Sequence, residues 1–185
     1  DRLEQERPRW AIPMAVRAEG ADVPLSPEGV AGAFPDATGR LVVLLHGLCE
    51  NEAYWSFRRE VTGETYGEAL GRRGWSPVLL RANTGLGLRA NGAALSAVLQ
   101  SLVEAWPVPV ERIALVGHSM GGLIIRAASD VVSDRPQPWA GRVTDVVTLG
   151  TPHLGAPVAA AIRSYRGNPM NPSCCSGCRA AKPMC

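Results

Sequence analysis

Apolar positions along the chain follow two alternating patterns. Leu41-Val42-Val43-Leu44-Leu45 is an unbroken apolar run between Gly39 and Gly47, as expected of a strand buried on both faces of a parallel sheet. Shorter runs of the same kind recur at Pro77-Val78-Leu79-Leu80 and Ile113-Ala114-Leu115-Val116, and Val143–Leu149, stopped by Gly150 and Pro152, reads as a fourth strand. Between the runs the spacing becomes helical. Leu95, Val98, Leu99, Leu102 and Trp106 share one face, which predicts an amphipathic helix ended by Pro107. Ile124, Ala127, Ala128 and Val131 predict a second helix, expected to carry Asp130 and Asp134. A third is expected near Thr65–Arg73, closed by Gly74.

Strand alternating with helix implies an α/β fold: a parallel-rich central sheet with helices on both faces, because each crossover returns the chain in the same direction. Ligands in such sheets sit at the carboxyl ends of the strands. The informative loops are then those after Leu45, Leu80, Val116 and Leu149. Residues 17–38 are rich in Pro and Gly without a period and read as loop with one edge strand at most. The expected organisation is an N-terminal segment over 1–39, an incomplete α/β core over 40–162 and an irregular Cys-rich tail over 163–185.

Composition narrows the function classes. The chain has 185 residues, 46% hydrophobic and 19% charged, with a net charge of +2, which suits one globular domain and gives no reason to expect nucleic acid or an anionic membrane as the main partner. No apolar run is long enough to span a bilayer. The start shows no signal-peptide pattern, which favours a soluble cytoplasmic protein; a secreted mature form stays open, since a signal peptide is removed on export. Charge and cysteine are unevenly spread. After Asp145 there is no acidic residue, and Cys174, Cys175, Cys178 and Cys185 crowd the end. Cys175-Ser176-Gly177-Cys178 lacks the second Cys or His pair that a zinc site needs, so no metal is expected.

The third strand run leads into Gly117-His118-Ser119-Met120-Gly121-Gly122. A G-x-S-x-G turn between a buried strand and an amphipathic helix presents the serine hydroxyl above the sheet, and the flanking glycines leave room for the turn. Ser119 is therefore the candidate nucleophile. Acyl transfer also needs two backbone N–H donors aimed at the carbonyl oxygen. Met120 is expected to supply one, and Leu48, in His46-Gly47-Leu48 after the first strand run, the second. Gly47 allows close backbone approach. His46 is read as an orienting or packing histidine, and His118 as packing into the elbow.

These residues resemble the α/β-hydrolase superfamily. Leu44-Leu45-His46-Gly47-Leu48, Gly117-His118-Ser119-Met120-Gly121-Gly122 and Leu149-Gly150-Thr151-Pro152-His153-Leu154-Gly155 look most like its lipase-like serine esterases, including the group related to GPI inositol-deacylases. The resemblance implies a serine nucleophile at Ser119, oxyanion donors at Leu48 and Met120, an ester or lipid-like substrate and no cofactor. It also implies a catalytic Asp or Glu and then a His later in the chain.

Here the sequence departs from that pattern. Asp145 is expected at the start of a strand, at the far edge of the sheet from Ser119, and His153 is read as part of a packing turn, with a base role as the lesser alternative. The triad is incomplete, and the reading is a truncated serine ester hydrolase that is inactive or weak in this form. Alternatives are an acyltransferase or thioesterase, or a non-catalytic binding protein on the same fold. Tyr54 and Trp55 are read as pocket lining or apolar anchor, Asn83-Thr84-Gly85 as a turn or substrate contact, and Arg58, Arg59, Arg72 and Arg73 as a solvated helix face. Cys49 is read as packing.

Overall fold

A computed structural model describes residues 12–131, 134–135 and 138–155. Asp1–Pro152 forms one unit and His153–Cys185 another, of which residues 153–155 are described. The Cys-rich tail and the cysteines expected there lie outside the described residues.

The first unit is built on a six-stranded sheet in the order β2-β1-β4-β3-β5-β6. The strands are β1 (Ala15–Ala18), β2 (Ala21–Asp22), β3 (Arg40–Leu45), β4 (Ser76–Arg81), β5 (Arg112–His118) and β6 (Val143–Leu149). Strands β4, β3, β5 and β6 run parallel, while the β1–β2 hairpin joins β4 antiparallel. The helices are α1 (Pro27–Ala33), α2 (Arg59–Thr62), α3 (Tyr66–Gly71), α4 (Leu88–Ala105) and α5 (Met120–Ser129), with 3₁₀ turns at Glu52–Ser56 and Trp139–Arg142. This is an α/β-hydrolase fold.

The unbroken apolar run of β3 feeds two cores. Leu41, Val43 and Leu45 join Leu80, Leu115, Leu95 and Leu99 of α4 and Ile124 of α5 on one face. Val42 and Leu44 join Trp55 and Ala114 on the other, with Leu70 of α3 and Leu149 packed against them. Alternation along a strand sends neighbouring side chains to opposite faces, so a strand covered on both sides must be apolar throughout.

Two expectations need correction. Residues 17–38 complete a two-stranded hairpin and hold a helix, where loop with one edge strand at most is expected. Glu19 and Gly20 take φ values of 49° and 79° in the hairpin turn, and α1 starts with Ser26 accepting from the Gly29 N–H, followed by Pro27, a favoured start because proline fits the first helical position. The helix after the elbow ends at Ser129, so Asp130 is its C-cap and Asp134 lies beyond it; the β-branched pair Val131-Val132 favours helix poorly. On β6, Leu149 is partly buried against the second core, whereas Val146 and Val147 are 55% and 45% exposed.

Candidate active site

Ser119 stands where β5 turns into α5, with φ 49° and ψ −115°. Side chains rarely adopt this region, and holding a residue there costs about 1–3 kcal/mol. Several contacts impose it. The Ser119 N–H donates to the Leu149 carbonyl at 2.8 Å, and the Gly122 N–H donates back to the Ser119 carbonyl at 3.3 Å. A Cβ on Gly117 would lie 2.5 Å from the Gly122 nitrogen, one on Gly121 would strike the Leu45 carbonyl oxygen, and one on Gly122 would strike Thr151 Oγ1. The glycines let α5 start directly over the ends of β3 and β6.

The loop after β3 closes on the same point. A Cβ on Gly47 would stand 3.1 Å from Ser119 Cβ and 3.0 Å from His118 Nδ1. His46 is fully buried. Its Nε2 accepts the Ala82 N–H at 3.0 Å, which leaves the proton on Nδ1 to be donated to the Gly47 carbonyl at 2.9 Å. That carbonyl shares its peptide plane with the Leu48 N–H, and in a trans peptide the two groups point in opposite directions. By fixing the oxygen, the imidazole also fixes the direction of the Leu48 donor. Burial holds the His46 pKa below its ordinary value, against the raising effect of its bond to Gly47 and the nearby Glu50. The ring is therefore kept neutral, as its acceptor role requires.

Glu50 was not anticipated. Its Oε2 accepts the Gly47 N–H at 2.7 Å and meets His118 Nδ1 at 2.9 Å. His118 in turn stacks on Tyr54, with ring centroids 4.3 Å apart and planes 16° from parallel. Nothing in the local pattern marks Glu50, because its partner His118 lies 68 residues away.

The profile of the family described as "Putative serine esterase (DUF676)" matches residues 36–163. The chain belongs to this serine esterase family. Among solved structures, this family member is similar to the Bacillus licheniformis lipase BlEst2 in its mature form. Identity is 21%, the TM-score is 0.54, and the match covers 84% of this chain and 54% of that one. The propeptide form of the same lipase gives 21% identity and a TM-score of 0.52, covering 82% of this chain and 28% of that one. This chain thus spans about half the length of the mature lipase. None of the curated proteins matches it.

The remaining candidates take ordinary places in this family member. Asp145 pairs with Arg112 at 3.3 Å, at the start of β5 and therefore at the opposite end of that strand from Ser119. Arg59 binds Glu68 at 2.9 and 3.0 Å, and Arg72 pairs with Glu64, the solvated face that the charge pattern suggests. Thr84 Oγ1 accepts the Cys49 N–H at 3.2 Å, joining the loops after β3 and β4, and Cys49 is exposed. Tyr54 lines both of two open hollows of about 420 and 470 Å³, and Trp55 lines the larger. His153 opens the second unit. Among the described residues, no group of three or more His, Cys, Asp or Glu is placed to hold a metal, and no helix is long and apolar enough to cross a membrane.

Proposed function

We propose that this chain carries the nucleophile and oxyanion donors of a serine ester hydrolase acting on ester or lipid-like small molecules. The observation that carries the reading is the strained backbone of Ser119 at φ 49° directly against Gly47. Strain of this kind persists only where surrounding structure imposes it, and here it sets a hydroxyl at the N-terminus of the ten-residue helix α5. Two N–H groups are available beside it. Met120 is the first residue of α5, so its N–H has no intrahelical partner. Among the described residues, none accepts from the Leu48 N–H.

In the proposed reaction Ser119 Oγ attacks the ester carbonyl carbon while its proton passes to a histidine base. The negative charge that develops on the carbonyl oxygen is met by the Leu48 and Met120 N–H groups and the positive end of the helix dipole. Collapse breaks the bond to the alkoxide, which leaves as the alcohol with the base's proton, and water cleaves the acyl-enzyme. We place the acid and the base outside the described residues and give neither role to His153. Hydrolysis of p-nitrophenyl butyrate by the full-length natural protein tests the reading. Turnover should vanish in Ser119→Ala, and turnover that survives this change contradicts it.

A further inference from the structure

We infer that Glu50 is the positioning residue that ties the loop after β3 to the nucleophile elbow, an inference that rests on the esterase reading above. One carboxylate oxygen, Oε2, accepts the Gly47 N–H at 2.7 Å and lies 2.9 Å from His118 Nδ1. Gly47 precedes Leu48, the proposed oxyanion donor, and His118 precedes Ser119. The two segments whose separation defines the oxyanion site are thus held to a single atom.

The surroundings suit this task better than an ion-pair role. Glu52, two residues on, takes the cation of this region, with Oε1 2.7 Å from Arg17 Nε. Among the described ion pairs Glu50 meets only His118. Tyr54 stacks on the His118 ring and limits its tilt, so the direction of Nδ1 toward Glu50 is fixed. Cys49, between Leu48 and Glu50, takes φ 58°, a left-handed turn that folds the carboxylate back onto the Gly47 N–H. His46 holds the Gly47 carbonyl from the buried side while Glu50 holds the Gly47 N–H. Both peptide planes flanking Gly47 are therefore pinned, and Leu48 has little freedom to turn its N–H away.

A carboxylate close to a developing oxyanion opposes its charge, so its contribution here is geometric: an oxygen that accepts from two donors. Glutamine carries such an oxygen and alanine does not. In the full-length natural protein, Glu50→Ala should lower kcat on p-nitrophenyl butyrate about 10–100-fold with KM within about twofold, below the 10²–10³ typical for outright removal of an oxyanion donor. Glu50→Gln should stay within about threefold of the parent in kcat. Glu52→Ala, which breaks the Arg17 contact instead, should lower Tm and leave kcat within about threefold. The Gly47 amide of the unsubstituted protein should be protected from hydrogen exchange, and Glu50→Ala should lose that protection selectively. The inference is overturned by an unprotected Gly47 amide, by Glu50→Ala within twofold of parental kcat, by an effect confined to KM, or by Glu50→Gln falling as far as Glu50→Ala. Should Ser119→Ala keep parental turnover, the esterase reading fails, while exchange at Gly47 still decides whether Glu50 holds the loop.

Discussion

Ser119 donates its backbone N–H to the carbonyl oxygen of Leu149 at 2.8 Å, so the turn from β5 into α5 is fastened to the end of β6. The bond holds Ser119 at φ 49° and ψ −115° by occupying the amide that would otherwise be free to rotate. Replacement by glycine tests whether the strain is real, because glycine has no Cβ to clash at positive φ. Ser119→Gly should raise the unfolding free energy by about 1 kcal/mol while abolishing turnover. Chemical denaturation of both forms under the same conditions measures this; equal or lower stability in the variant would count against a strained elbow.

A second prediction concerns acid. The His46 pKa lies below its ordinary 6.5 because the ring is buried. Between the folded and unfolded values the unfolded chain binds the extra proton, so stability rises with pH there. The contribution is fully present above about pH 6.5 and is lost as pH falls through the folded value, with a slope of up to about 1.4 kcal/mol per pH unit. Denaturation curves from pH 7.5 to 5 should show this slope, and His46→Gln should flatten it. An unchanged slope in the variant would mean that another group is responsible.

A third prediction concerns β6. Val146 and Val147 are 55% and 45% exposed, and among the described strands β6 pairs only with β5. Apolar side chains on an outer strand are a template for association. The polypeptide of residues 1–185 should run as oligomers in light-scattering chromatography, and lysine at both valines should shift it toward monomer. A monodisperse monomer without the substitutions would contradict this.

How much of this was legible in the sequence depends on the range of the interaction. The apolar runs of β3, β4 and β5 announce themselves because a strand packed on both faces is largely apolar, whereas β6 is interrupted by Thr144, Asp145 and Thr148 and is legible from its valines and from the Gly150 and Pro152 that follow it. Ser119, Gly117 and Gly121 are legible because the tight turn constrains neighbours in sequence. Helix α1 was missed although Ser26 followed by Pro27 is a helix-start signal; its seven residues include two glycines and one buried apolar side chain, Val30, too few for a period. Glu50 was missed for a different reason. Its role depends on His118, which only the sheet order brings near, and a single polar residue in a loop carries no pattern of its own.

A fourth prediction separates the base from the rest of the site. The base of the proposed reaction is placed outside the described residues, and without a base the Ser119 hydroxyl keeps its proton and is a poor nucleophile at neutral pH. Residues 1–185 alone should hydrolyse p-nitrophenyl butyrate near the background rate, unchanged in His153→Ala. Ordinary turnover that disappears in His153→Ala would identify His153 as the base.

Labelling of the full-length natural protein with a fluorophosphonate, followed by peptide mapping, reads the nucleophile directly. An activated serine attacks phosphorus and displaces fluoride, leaving a stable adduct at the reacting oxygen. One adduct is expected, on Ser119 and absent from Ser119→Ala; an adduct on another residue, or labelling that persists in Ser119→Ala, would rule out Ser119 as the nucleophile.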